Sequence, residues 1–105
     1  MTIKANAFNN CRELRTVIFE ADSHLESIGE SCFYVCGLRE IVVPRSVRVV
    51  GSWAFCFCQD FSSFSVEPGA KIYYIGKSAF FGTQLKRGSV QYPSTLKTDG
   101  SEYGP

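Results

Sequence analysis

Four phenylalanines set the frame of this chain. Phe8, Phe33, Phe55 and Phe80 stand 25, 22 and 25 residues apart. Each follows a small residue: Ala7, Cys32, Ala54 and Ala79. Five residues before each stands Ile3, Ile28, Val50 or Ile75, and the next position holds Gly29, Gly51 or Gly76, with Lys4 the exception. Three residues after each comes Cys11, Cys36, Cys58 or Thr83, and then Leu14, Leu38, Phe61 or Leu85. Each unit closes on an alternating run: Val17-Ile18-Phe19, Ile41-Val42-Val43, Phe64-Ser65-Val66 and Val90-Gln91-Tyr92. A period of 20 to 30 residues is the mark of a solenoid, in which each unit buries its apolar face only against its neighbours.

The units alternate in type. In the first and third the Leu column stands three residues after the Cys column (Cys11 to Leu14, Cys58 to Phe61), and their runs lead into Glu20 and Glu67. In the second and fourth it stands two residues after (Cys36 to Leu38, Thr83 to Leu85), and their runs stop at Pro44 and Pro93. The larger repeat is therefore 47 residues, Phe8 to Phe55 and Phe33 to Phe80. Alternation puts every second side chain on one face, the period of a strand, and the residues are the β-branched and aromatic types that strands favour. Proline after the run removes a donor and ends the ladder. Glycine before the Ala-Phe pair suits the N-cap of one helical turn, and Ser31-Cys32-Phe33-Tyr34 and Ser78-Ala79-Phe80-Phe81 fit such a turn. The expected fold is a repeat solenoid, with short parallel strands on one face and single helical turns or irregular segments on the other. Its units run over about 3–27, 28–49, 50–74 and 75–98, with 99–105 as a tail.

Composition excludes more than it selects. Eleven Lys and Arg balance ten Asp and Glu, which argues against a nucleic-acid partner. No apolar run approaches the length of a membrane span, and Met1 to Asn6 carries no apolar signal core. No paired carboxylates, nucleophile-base pair or phosphate loop is present, so no enzymatic activity and no cofactor is expected. Five cysteines cannot all pair within one chain. Cys11, Cys36 and Cys58 share one column, which reads as stacked buried thiols. A bridge between neighbours on oxidation stays open as an alternative. Cys56-x-Cys58 with Cys32 and Cys36 lacks zinc-site spacing, so no metal is expected. His24, the single histidine, falls in a connecting segment and reads as a solvated loop residue.

The string Ile-Gly-x-x-Ala-Phe-x-x-Cys-x-x-Leu-x-x-Ile-x-Ile-Pro-x-Ser-Val resembles the BspA-like leucine-rich repeat, a surface and adhesion-type family of bacteria and protozoan parasites. The stretch from Arg39 to Val47 matches it best, and the resemblance covers about residues 3 to 98. It implies a leucine-rich-repeat solenoid with a role in protein recognition and no catalytic motif. It also implies a cell-surface or secreted setting and a host-cell or matrix protein as partner. Departures lie at Lys4, at the insertion Arg87-Gly88, expected to form a bulge, and at Asp99. A carboxylate in that apolar column is expensive to bury, so the array is expected to end there. The first unit opens mid-coil with no strand before Val17, which leaves an edge through which the array could self-associate.

Two surfaces are candidates for binding. On the strand face the outward columns are Arg15, Arg39, Ser62 and Lys86; then Thr16, Glu40, Ser63 and Ser89; then Ile18, Val42, Ser65 and Gln91. The basic column and the exposed aliphatics favour protein docking there. The alternative is aromatic: Tyr34, Trp53, Phe57, Tyr73, Tyr74 and Phe81, with Val49, occupy non-core columns and are of the type enriched at interfaces. Trp53 stands in a column otherwise filled by Asn6, Ser31 and Ser78. The expected function is a non-catalytic protein-recognition module of an adhesive surface protein. The alternative is a structural or intracellular scaffold array that self-associates.

Overall fold

The computed structural model describes residues 2–20 and 22–85. These residues form stacked coils with six short strands: β1 (Thr2–Ile3), β2 (Ser27–Ile28), β3 (Glu40–Val43), β4 (Val49–Val50), β5 (Ser63–Val66) and β6 (Tyr74–Ile75). The order β1-β2-β4-β6 makes one parallel sheet, and β3 with β5 makes a second. The pairing reproduces the repeat residue for residue. Ile3 lies beside Ile28, Ile28 beside Val50, and Val50 beside Ile75. On the other sheet Ile41 faces Phe64 and Val43 faces Val66.

Between the two sheets each coil turns past its Phe. Helical turns were the expectation here, and no helix forms among the described residues. The chain makes overlapping tight turns in place of a helix. Cys32 N donates to Gly29 O and Tyr34 N to Ser31 O, while the intervening amides reach the next coil. Phe33 N donates to Ala54 O and Phe55 N to Ala79 O, both at 2.8 Å. Two columns hold the left-handed backbone this alternation requires. One is Asn6, Ser31, Trp53 and Ser78, with φ between 53° and 62°. The other is Asn10, Val35, Phe57 and Gly82. Positive φ at Ser31 and Ser78 is incompatible with the right-handed turn read from the sequence.

The glycine column is not an N-cap either. A Cβ on Gly29 would lie 2.6 Å from Ile3 O and Ala5 N, and one on Gly51 would lie 2.5 Å from Glu30 N. Glycine stands here because consecutive backbones pass too close for a side chain.

A third corner follows β3. Val47 N donates to Pro44 O, closing a turn. Ser46 Oγ donates to Leu25 O at 2.6 Å on the previous coil, and Val47 then enters the core. The Pro-x-Ser-Val stretch thus ends one strand, ties two coils and restarts the interior. The core consists of the columns read from the sequence: Ile28, Val50 and Ile75; Cys32, Ala54 and Ala79; Phe33, Phe55 and Phe80; Leu38, Phe61 and Leu85. Leu25, Val47 and Ile72 join them from the corner. Burying each large side chain contributes about 1.5–3 kcal/mol.

The first unit has a strand before Val17, β1, where none was expected, and the run Val17-Ile18-Phe19 departs from expectation as well. It forms no strand, and the ladder reaches it only at Thr16, bridged to Glu40. β-branched residues favour a strand only where a half-buried pleated surface receives them. Here Val17 and Phe19 are half-buried and Ile18 is 87% exposed. The fourth run, Arg87-Gly88, Lys86, Ser89, Gln91, Asp99 and the tail lie outside the described residues.

Candidate functional site

The turn side carries an aromatic ledge. Tyr34 and Phe81 each directly follow the core Phe of their coil, and Phe57, from the coil between, stands one position later. Their rings meet edge to face, at centroid distances of 5.8 Å for Tyr34–Phe57 and 5.6 Å for Phe57–Phe81. Edge-to-face contact of this kind is favourable beyond its buried area. Trp53 stands beside them, and Ser31, Tyr34, Trp53, Cys56, Phe57, Ser78 and Phe81 line one shallow depression of about 470 Å³. Trp53 is 38% exposed and Phe81 55%. Positive φ at Trp53 and Phe57 is an uncommon conformation for bulky residues, and both rings are part-exposed there. Tyr73 and Tyr74 are exposed but belong to the β6 side, and they do not line this depression. Val49 lies next to Tyr74 in that sheet.

The strand face carries the other set of expected residues, in part. Glu40 and Val42 on β3, and Ser63 and Ser65 on β5, do point outward. Arg15, Arg39 and Ser62 do align, with Arg39 N donating to Arg15 O and Ser62 N to Arg39 O. Both arginines are exposed, but their side chains are held differently. Arg15 Nη1 donates to Arg12 O at 2.6 Å, and the guanidinium lies over Gly37. Lys86 and Gln91 are outside the described residues. Glu40, already expected on this face, is joined by two carboxylates not assigned to it from the sequence: Glu20, Glu40 and Glu67 line a groove with Ile18 and Val42. The signal was present, since the first and third runs both end in Glu.

Four of the cysteines are buried and Cys11 is half-buried. Cys36 Sγ donates to Phe8 O at 2.8 Å and Cys58 Sγ to Phe33 O at 2.9 Å, each on the preceding coil. Burial pushes the Cys32 and Cys58 thiols up to about 12 and also raises Cys36 and Cys56. All five are free thiols. His24 is exposed. Among the described residues no group of three or more His, Cys, Asp or Glu could hold a metal, and no helix is long and apolar enough to cross a membrane.

Comparison with known proteins places this geometry in context. Residues 1–102 match the family model of the BspA type leucine rich repeat region in six copies. No curated protein sequence matches the chain. Among solved structures, the crystal structure of the pneumococcal vaccine antigen PcpA is similar, with a TM-score of 0.69 and 23% identity. The match covers 78% of this chain and 26% of that one, so the chain spans about a quarter of the antigen's length. At that identity the likeness is one of fold.

Proposed function

The chain belongs to the BspA-type leucine-rich repeat family, and from that membership we propose that it is a non-catalytic protein-recognition module of an adhesive surface protein, with the aromatic ledge as its contact surface. The observation that carries this reading is the clustering of Trp53, Phe57, Phe81 and Tyr34 around one exposed depression. Such residues bring large contact area at low entropic cost and dominate interface energies. The rigid stack of coils beneath holds them in place. The family and the similarity to a vaccine antigen support a surface or secreted setting, and a host-cell or matrix protein is the kind of partner that fits it.

The test is binding of the purified array to immobilised matrix proteins and to intact cells, beside a variant carrying Trp53→Ser and Phe81→Ser. Loss of binding with an unchanged unfolding transition supports the ledge. Undiminished binding by the folded variant overturns it. The second reading is an array that self-associates. One observation favours it: the Phe8 ring stacks on Phe33 at 5.3 Å yet stays exposed. A concentration-dependent mass in sedimentation, abolished by Phe8→Ser, would support that reading over the first.

A further inference from the structure

A second surface, separate from the aromatic ledge, lies along β3. This strand is paired with β5 on one edge. Its other edge meets the preceding coil at one point in the described residues, Thr16 opposite Glu40. Beyond that bridge, the 17–20 run and β3 enclose a groove of about 270 Å³. Ile18 and Val42 provide exposed aliphatic surface at 87% and 53%. Glu20, Glu40 and Glu67 provide carboxylates, and no basic side chain lines the groove among the described residues. Glu67 is positioned by Arg45 N, which donates to its Oε1 at 3.0 Å. Arg15 is drawn off to the Arg12 carbonyl, and Arg39 stands one column earlier.

We propose that this groove docks an extended, basic segment of a partner protein, added as a strand beside β3. An open strand edge binds extended chain through its main-chain groups, while alternate side chains give specificity. The columns set the pattern. Side chains of a strand alternate faces, so outward positions recur every second residue. The first lies in front of the Thr16–Glu40 bridge and reaches Glu40 through its side chain alone, so main-chain pairing begins at Val42; the second meets Ile18 and Val42, the third Glu20, Pro44 and Glu67. The complementary segment reads basic, any residue, aliphatic, any residue, basic. Its charges face carboxylates at both ends, and its apolar side chain covers the aliphatics between.

The probe is a fluorescein-labelled peptide with the core Lys-Thr-Val-Thr-Lys, measured by polarisation and by amide chemical shifts of the intact chain. A matched peptide carries Glu for both lysines, and a third is N-methylated along its backbone. The lysine peptide is expected to shift amides at 16–20 and 40–43. Its affinity should exceed that of the glutamate peptide by about five- to tenfold, as two exposed charge pairs can give, and should fall with added salt. Glu20→Gln with Glu40→Gln, both exposed positions, should remove that preference without unfolding the chain. Trp53→Ala should leave peptide binding unchanged, which separates this site from the ledge. No binding of the lysine peptide, equal binding of the lysine and glutamate peptides, undiminished binding of the methylated one, or shifts confined to the aromatic ledge would each overturn the proposal.

Discussion

The rings of Phe33 and Phe55 stack in the interior with centroids 5.4 Å apart and planes within 8°. The column continues to Phe80 at 5.7 Å from Phe55, and Phe61 lies 4.9 Å from Phe55 in the same orientation. Phe55 is thus in stacked contact with three rings and is fully buried. Phe55→Ala should cost about 3–5 kcal/mol, a large share of the total stability of a domain this size. Denaturant titration checks this, and a loss below about 1 kcal/mol would contradict the assigned register.

Close backbone approach predicts a contrast between two glycines. Gly51→Ala drives a methyl to 2.5 Å from Glu30 N and 2.7 Å from Gly29 C. Neither atom belongs to a flexible side chain, so the coils must part, at a cost of about 3 kcal/mol or more. Gly69 has φ of 87° and open space around its missing Cβ, the nearest atom being 4.0 Å away. Gly69→Ala should cost only the conformational penalty, about 1 kcal/mol. Comparable midpoints for the two variants would remove the packing argument for the glycine column.

What the sequence revealed was columns, and what it concealed was backbone. The Ile, Phe, Cys and Leu columns are legible because each repeats at one distance from the Phe, and strand pairing holds them in that register. The left-handed positions were hidden by their occupants. Asn10 and Gly82 suit positive φ, but Val35 and Phe57 share the column with them, and a β-branched or bulky residue gives no such signal. The ledge was therefore visible as a supply of aromatics, without the geometry that gathers Trp53 with Phe57 and Phe81 and leaves Tyr73 and Tyr74 apart. The acidic groove was hidden for another reason: it depends on the 17–20 run leaving the sheet, against its β propensity.

The buried thiols predict an alkaline loss of stability. In the unfolded chain a thiol ionises near its ordinary value of 9.0, whereas Cys58 and Cys32 stay protonated in the folded chain up to about 12. The folded state therefore binds more protons between these values. Stability should hold below pH 9 and fall as pH rises through this window, by up to about 1.4 kcal/mol per pH unit for each thiol. Cys58→Ala should flatten the slope of unfolding free energy against pH, whatever it does to the absolute value. An unchanged slope would show that the thiol is not held protonated. At pH 8, half-buried Cys11 should react with a thiol reagent before Cys32 and Cys58.

Arg15 and Arg39 align in one column, yet the structure gives them unequal roles. Arg15 holds the Arg12 carbonyl at 2.6 Å, and its guanidinium covers Gly37 so closely that a Cβ there would collide with it. Arg39 touches the neighbouring coils through its backbone, a contact that any side chain preserves. Arg15→Ala should therefore destabilise by about 0.5–1 kcal/mol, a net hydrogen bond at an exposed site, while Arg39→Ala stays within about 0.5 kcal/mol. The pair also decides which charges the strand face shows a partner. With Arg15 committed to the turn, the carboxylates of Glu20, Glu40 and Glu67 meet an approaching chain with less opposition, and its basic groups are favoured. If Arg15→Ala and Arg39→Ala prove equally harmless in thermal unfolding, the guanidinium is free in solution. The face would then present two cations beside its acids, and the charge preference of the groove should be correspondingly weaker.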